Sequence, residues 1–479
     1  MLIGGEWRQA AAHEELEVIN PATEDVVDRV PAGAAQDVEL AVATAKRAFA
    51  DWSRTDVEQR AGILSRAADL IHEHAKALAA KLTAEQGKPL AEAIGEVNHL
   101  AHGVRYYAEA ATKVRGSYQD LPATLGPAYG IVIRRPMGVC AAITPYNFPL
   151  TLLGTKVAPA LASGNTVVAK PAATTPLATL EVARLFSEAG VPDGVLNVVT
   201  GRGSEIGDAL VGHPDVRRVA FTGSTAVGRH VAALAAPELK RLSLELGGSD
   251  PVIICADADV DAAVKAVIIG RYWNAGQACL GCKRVFVHES VYDAFVSGLV
   301  SRVARYEPGD GTVKAEKPKL RMGPVHTRAG RDELLAQIED GVSSGGELLV
   351  GGGTGSGDKG YFLEPAVISQ PADGSRLMTE EVFGPVLPVL RFSDFDEAIR
   401  RANDTPYGLG SSIWTHDARL IHRAAQEIES GMTWVNQIHY GYDELPFGGV
   451  KASGFGKEHG LEALDSYVEL KSVVVGGLA

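Results

Sequence analysis

The chain has 479 residues, 46 Lys and Arg against 59 Asp and Glu, and a formal net charge of -13. That charge repels phosphate backbones and anionic lipid, which argues against nucleic acid and membrane surfaces as partners. At this length two or more packed units are expected, and 46% apolar with 22% charged residues describes a globular chain, not a disordered or fibrous one.

No stretch reaches the ~18 uninterrupted apolar residues that span a bilayer. The opening MLIGGEWRQAAAHEELEV lacks the basic-then-apolar order of an export signal. Cys140, Cys255, Cys279 and Cys282 are too few and too irregularly spaced for a disulfide framework, so a reducing, cytoplasmic location is expected.

In chain order, residues 41–114 carry apolar side chains at three- and four-residue spacing with charges opposite, which predicts several amphipathic helices. Between 117 and 138 the pattern turns to short alternating runs with Gly and Pro, predicting a hairpin outside the main sheet, used in packing or assembly. After Pro136 an alternation sets in: VCAAIT, a helix over 150–162, TVVAK, a helix over 176–189, VLNVVT, a short helix, VRRVAFTG, another helix and RLSLEL. Short apolar strands separated by helices of roughly 10 to 15 residues predict an α/β class with parallel strands, whose ligands gather at strand C-terminal ends.

A second α/β series starts at Pro251 with PVIICADAD, a helix over 260–273, RVFVH and a helix over 292–306. The Gly-rich segment 343–360 reads as a surface loop around one short strand. The terminal VELKSVVVG reads as an edge strand that pairs with the hairpin or with a neighbouring subunit. No internal repeat is visible.

Cys279 lies in NAGQACLGCKR, between an apolar helical run and a strand, with Gly276 permitting close backbone approach, so its sulfur can face a cleft. Alone it reads as a buried structural cysteine. Its C-x-x-C partner Cys282 raises zinc, but a zinc site wants two further ligands at similar spacing and none stands nearby, so no metal is expected. In RLSLELGG, Glu245 sits near the end of an apolar strand, where a carboxylate is costly to bury without a task or partner, and a solvated strand-end carboxylate is the alternative. In ITPYNFP, Asn147 leaves a strand just before Pro149. A rigidly held amide there suits a developing oxyanion, and plain turn chemistry is the alternative.

Together these residues carry a resemblance to the aldehyde dehydrogenase superfamily along essentially the whole chain. FTGSTAVG, EEVFGPV, NDTPYGL and PFGGVKASGFGKEHG fall in the family's order, and the Glu245-to-Cys279 spacing also matches. The resemblance implies a Rossmann-like cofactor domain over 1–116 and 137–247 and an α/β catalytic domain over 248–448. A small β oligomerisation element over 117–136 and 449–479 completes it, joining homodimers or homotetramers.

It further implies that Cys279 attacks an aldehyde as thiolate, that the Asn147 amide and the Cys279 N–H hold the oxyanion, and that Glu245 activates the water that hydrolyses a thioester. Members that transfer the acyl group to coenzyme A generally lack this glutamate, so release of free acid is implied. Lys156 matches a family lysine near the catalytic carboxylate and reads otherwise as a helix-surface lysine. A non-catalytic relative is the other class, disfavoured because nucleophile, base and oxyanion Asn are all present.

For the cofactor, NAD or NADP, the resemblance points to Thr144, Pro145, Tyr146, Lys170, Ala172, Ala173, Thr222, Gly223, Ser224, Gly228, Leu246, Glu381 and Phe383. Gly223 and Gly228 open a helix whose free N–H groups can receive pyrophosphate. Many NAD-preferring members place Glu three residues after the ribose lysine, where this chain has Ala173. Without that carboxylate a 2'-phosphate meets neither repulsion nor crowding, so NADP is expected to be accepted, with its preference over NAD left open.

Substrate-flanking positions are Phe148, Leu152, Thr155, Trp273, Leu280, His439, Tyr440 and Tyr442. They suggest an aromatic or medium aliphatic aldehyde. Succinate-semialdehyde relatives commonly carry Arg where Thr155 stands. A semialdehyde substrate is therefore the alternative, with Arg271 or His439 as a substitute clamp.

Overall fold

The computed structural model describes residues 1–122, 124, 126–317, 319–355 and 359–476. Its first sheet has eight strands, of which five run parallel in the order Leu196–Val198, Thr166–Lys170, Val139–Ile143, Val216–Thr222, Arg241–Glu245. These strands are buried almost throughout because helices cover both faces, one with Leu153, Val157 and Phe186, the other with Val38, Val42 and Val231. The chain builds outward from Val139–Ile143 to one side, then returns to start Val216–Thr222 on the other. That reversal opens a crevice beyond Ile143 and Thr222, where α/β sheets bind ligands.

The predicted helical region is four helices, Ala35–Trp52, Val57–Glu73, Ala75–Gln86 and Leu90–Ala111. Ahead of them, strands absent from the sequence reading appear: Leu2–Ile3 joins the first sheet antiparallel to Leu196–Val198, and Glu15–Ile19 pairs with Val26–Pro31.

The second sheet orders Glu347–Val350, Ala366–Ser369, Val386–Phe392, Arg284–His288, Pro251–Ile254, Gly410–Trp414 and Met432–Val435, parallel except at its first pair. The Gly-rich segment is thus the turn after helix Arg328–Ser343, the strand Glu347–Val350 and a following loop, of which 356–358 lie outside the described residues.

The terminal strand Val468–Gly476 pairs along its full length with Ala128–Pro136, which pairs in turn with Ser117–Leu121. Of the two partners expected for it, the hairpin of its own chain is the one it takes. Just before it, Gly454–Phe455 lies antiparallel against Arg241–Glu245, bringing the PFGGVKASGFGKEHG segment against the strand that carries Glu245.

Candidate active site

Cys279 is half-buried in the loop between the turn Trp273–Gly276 and the strand Arg284–His288. The approach to it is strained: Asn274 and Ala275 both take left-handed φ values, 52° and 51°, a conformation costing roughly 1–3 kcal/mol per residue outside glycine. Polar contacts hold it there. Glu92 accepts from the Asn274 N–H at 2.8 Å, Gln86 donates to Asn274 Oδ1 at 3.0 Å, and Asn274 Nδ2 donates to the Asn147 carbonyl at 2.9 Å. Gly276 lets this loop press on the 382–384 segment, since a Cβ there would meet the Gly384 carbonyl at 2.3 Å.

Asn147 is held from both ends. Its carbonyl accepts from Lys88 Nζ at 2.8 Å, and its Nδ2 donates to the Gln277 carbonyl at 3.1 Å. An amide nitrogen carries two N–H donors, so a second is left. The Cys279 N–H donates to no described residue. Burial, with the carboxylates of Glu245 and Glu381 behind it, pushes the Cys279 thiol up to about 12, and only Lys283 opposes this.

Glu245 ends its strand 2% exposed, and neither carboxylate oxygen has a hydrogen-bond partner among the described residues. Burial, reinforced by the nearby Glu458 carboxylate, holds its pKa well above the usual range against Lys156 and Lys457. Lys156 is fully buried, and its Nζ reaches Glu458 Oε1 at 2.5 Å and Thr222 Oγ1 at 2.7 Å. The other Glu458 oxygen accepts from Thr155 Oγ1 at 2.7 Å.

At the sheet's reversal, Thr144 and Lys170 sit at neighbouring strand ends, joined by the Thr144 N–H to the Lys170 carbonyl. Among the described residues the buried Thr144 hydroxyl has no partner and Lys170 Nζ meets only the Pro171 carbonyl, with burial lowering its pKa to about 8. Ser224 caps the helix Thr225–Ala235, donor ends outward, and Gly228 lets that helix close on Leu246, where a Cβ would lie 2.3 Å from Cδ2.

Across the crevice Glu381 accepts from the Gly248 N–H at 3.1 Å. Phe383 stands edge-on to Tyr146 at 6.1 Å, and Tyr146 is stacked on His326 at 4.4 Å. Orphaned polar groups, an open helix N-terminus and an aromatic wall around one crevice fit a dinucleotide. Pro145, Ala172 and Ala173 lie in the two strand-end loops of the same crevice, next to Thr144 and Lys170 respectively.

On the other side of Cys279 a cavity of about 190 Å³ opens, walled mainly by Phe148, Leu152, Ile269, Trp273, Leu280 and Phe447, with His439 and Tyr440 among its polar residues. A half-buried cysteine thus stands between a dinucleotide crevice and an apolar pocket, with a buried, unpartnered carboxylate close by. A family model described as "Aldehyde dehydrogenase family" matches residues 7–473.

The chain belongs to the aldehyde dehydrogenase family.

This aldehyde dehydrogenase is 42% identical over 477 residues to the mitochondrial succinate-semialdehyde dehydrogenase of Arabidopsis thaliana, covering 100% of this chain and 89% of that one. It is also 42% identical over 482 residues to the phenylacetaldehyde dehydrogenase of Pseudomonas fluorescens, covering 99% and 95%. The crystal structure of PnpE in complex with nicotinamide adenine dinucleotide superposes with a TM-score of 0.95 at 39% identity, covering 100% of this chain and 97% of that one. The expected family and α/β fold therefore stand: the protein is an NAD(P)-dependent oxidoreductase acting on aldehydes.

Within this aldehyde dehydrogenase two substrate-flanking residues lie elsewhere than on the cavity wall. Thr155 is buried behind it, bonded to Glu458, and Tyr442 packs edge-on to Tyr440. Arg271 is also unavailable as a clamp, because its guanidinium donates to the Val382 and Gly384 carbonyls.

Glu458, Lys88, Glu96, Lys283 and Gln277 were not singled out by the sequence reading. Glu96 had a signal: it shares a helix face with buried Ala93, Val97 and Leu100, where a carboxylate stands out. It accepts from the Leu150 N–H at 2.9 Å, capping the helix that follows Asn147, and pairs with Lys88.

Proposed function

We propose that Cys279 is the nucleophile, that Asn147 Nδ2 and the Cys279 N–H hold the oxyanion, and that Glu245 is the base for hydrolysis. The observation that carries this reading is Glu245, a buried carboxylate without a hydrogen-bond partner, within electrostatic reach of the Cys279 sulfur. A carboxylate kept in that state is a base ready for a proton. The Cys279 thiol gives its proton to solvent and adds as thiolate to the carbonyl carbon, and the oxygen takes the negative charge between the two N–H donors. Lys170, the 224–228 helix start and Glu381 would hold NAD(P), which would accept the hydride from the sulfur-bound carbon as the oxyanion re-forms the carbonyl, leaving a Cys279 thioester. Water then attacks the Cys279 thioester as Glu245 takes its proton, and the thiol leaves with free acid as product. Lys156 and Glu458 form a buried ion pair within electrostatic reach of Glu245, Glu458 raising and Lys156 lowering its pKa.

The apolar wall favours a neutral aromatic or medium aliphatic aldehyde. The succinate-semialdehyde relative supports a semialdehyde as the second reading. A panel of aromatic, aliphatic and semialdehyde substrates, assayed with NAD and NADP and without coenzyme A, tests the reading. The expected product is free acid, equimolar with reduced cofactor. Product that forms only when coenzyme A is added would sink it.

Ala173 supports acceptance of NADP, because no side-chain carboxylate stands beside the ribose lysine at that position. Ala173→Glu is expected to lower kcat/KM with NADP about tenfold to 100-fold while NAD turnover persists, as a carboxylate repels a 2'-phosphate. Strict NAD preference in the unaltered enzyme would defeat the Ala173 argument.

The sheet of Ser117–Leu121, Ala128–Pro136 and Val468–Gly476 supports the assembly role, with 117–136 and 449–479 as the bridging segments of a dimer or tetramer. Tyr118, Leu470 and Val474 are 61%, 68% and 67% exposed on it, apolar area suited to a second copy of the chain. The same division makes 1–116 with 137–247 the cofactor unit and 248–448 the catalytic unit. Four free cysteines support a reducing, cytoplasmic location.

A further inference from the structure

One wall of the substrate cavity is polar in a way that oxidising an apolar aldehyde does not require. His459 and His99 both line it, and between them stands Asp443, its side chain 2% exposed. Asp443 Oδ1 accepts from His459 Nδ1 at 2.8 Å, Oδ2 accepts from His102 Nδ1 at 2.6 Å, and His99 Nε2 comes within 3.9 Å of Oδ1. The Tyr440 hydroxyl bonds His99 Nδ1 at 3.1 Å.

His459 also carries an unusual backbone, φ 56° and ψ 176°, a region populated almost only by glycine. Asp443 holds it there twice, through the Nδ1 bond and through its carbonyl, which accepts from the Gly460 N–H at 2.9 Å. Such strain persists only where the surroundings over-determine it, and it clusters at functional sites. With Nδ1 committed to a carboxylate, the proton of a neutral imidazole sits on Nδ1, and Nε2 is left as an acceptor. Nε2 bonds no described residue and lies beside Gly441 of the cavity wall, where a Cβ would be 3.9 Å away.

We propose that His459, set by Asp443 and flanked by the His99–Tyr440 pair, accepts a hydrogen bond from an uncharged hydroxyl on the substrate, so that the favoured substrates are hydroxyl-bearing aldehydes. This deepens the reading of the Cys279 site and rests on it. A carboxylate tail fits less well because the permanent cations nearby are taken. Lys88 bonds Glu96, Lys156 bonds Glu458, Arg271 bonds the 382 and 384 carbonyls, and Lys457 bonds the Gly448 carbonyl. Among the described residues no Lys or Arg lines the cavity, so an added carboxylate would be desolvated with no permanent positive charge on the wall to meet it.

The test compares ω-hydroxy aldehydes of increasing length with straight-chain aldehydes carrying methyl in place of the hydroxyl, and with the matching ω-carboxylates. At the matching length kcat/KM for the hydroxy aldehyde is expected to exceed that of its methyl counterpart about tenfold, the value of one buried hydrogen bond. In both His459→Leu and Asp443→Asn that ratio is expected to fall toward one, mainly through KM, and His459→Gln is expected to restore part of it.

No preference at any length, a preference intact in both variants, or a higher kcat/KM for the carboxylates would each overturn the proposal. Turnover of the methyl-ended aldehydes keeps the Cys279 reading standing in all three cases. Absence of turnover with every aldehyde overturns both.

Discussion

Cys279→Ala is expected to lower aldehyde-dependent reduction of NAD(P) on the order of 10⁵-fold, because no other group can form the bond that the reaction passes through. The neighbouring cysteine provides the control. Cys282 is buried 3% exposed, with its sulfur turned toward helix Val260–Tyr272, where a Cβ on Gly270 would meet it at 2.6 Å. Burial pushes its thiol up to about 12 as well, but it does not line the substrate cavity.

Cys282→Ser is therefore expected to retain turnover within about tenfold, the loss reflecting packing alone. Reduced-nicotinamide absorbance with saturating aldehyde measures both variants, and cofactor binding by Cys279→Ala, followed by protein fluorescence, shows whether the crevice is intact. If Cys279→Ala kept even a hundredth of the activity while Cys282→Ser lost it, the nucleophile would have been assigned to the wrong sulfur.

The parts of the fold that were legible in the sequence are those where one local pattern has one physical meaning. VCAAI is apolar at every position and TVVAK across its three central ones because helices cover both faces of their sheet, and that continuity marks a parallel strand without reference to anything distant. The strands before residue 35 carried no such mark. Leu2–Ile3 is two residues long and owes its strand character to Leu196–Val198, far along the chain.

The same division runs through the site. Cys279, Asn147 and Glu245 each stood beside a turn, a proline or a pair of glycines that flagged a strand end. Glu458 and Lys156 acquire their meaning only from each other, across most of the sequence, so neither local context announces the pair. Thr155 illustrates the limit from the other side. It lies one turn beyond Thr151 and Leu152, which do line the cavity as Glu458 does, yet Thr155 itself stays off the wall and spends its hydroxyl on Glu458.

Glu245→Gln separates the two halves of the reaction, and its expected effect is the second largest. Acylation of Cys279 does not consume water, so a first equivalent of reduced cofactor should still form as a burst. Hydrolysis of the thioester needs a base, and its loss is expected to lower the steady-state rate about 10³-fold. Acyl-enzyme should then accumulate on the Cys279 peptide, detectable by mass spectrometry of the acid-quenched protein.

The pH dependence follows from the environment of the carboxylate. Burial and the Glu458 charge raise the Glu245 pKa, favouring its protonated form, so the basic form is lost as pH falls through that raised value. In the unaltered enzyme the steady-state rate should therefore fall with acidification well above the usual carboxylate range. In Glu245→Gln that inflection should vanish, since the amide does not titrate. Weakening the opposing cation with Lys156→Met should move the inflection upward in pH, because Lys156 is the first of the two positive charges holding the pKa down. A Glu245→Gln enzyme with no burst would move the role of Glu245 to acylation, and one with a steady-state rate within about threefold of the parent would remove it from the hydrolytic step and leave its buried carboxylate, unpartnered among the described residues, without a chemical reason.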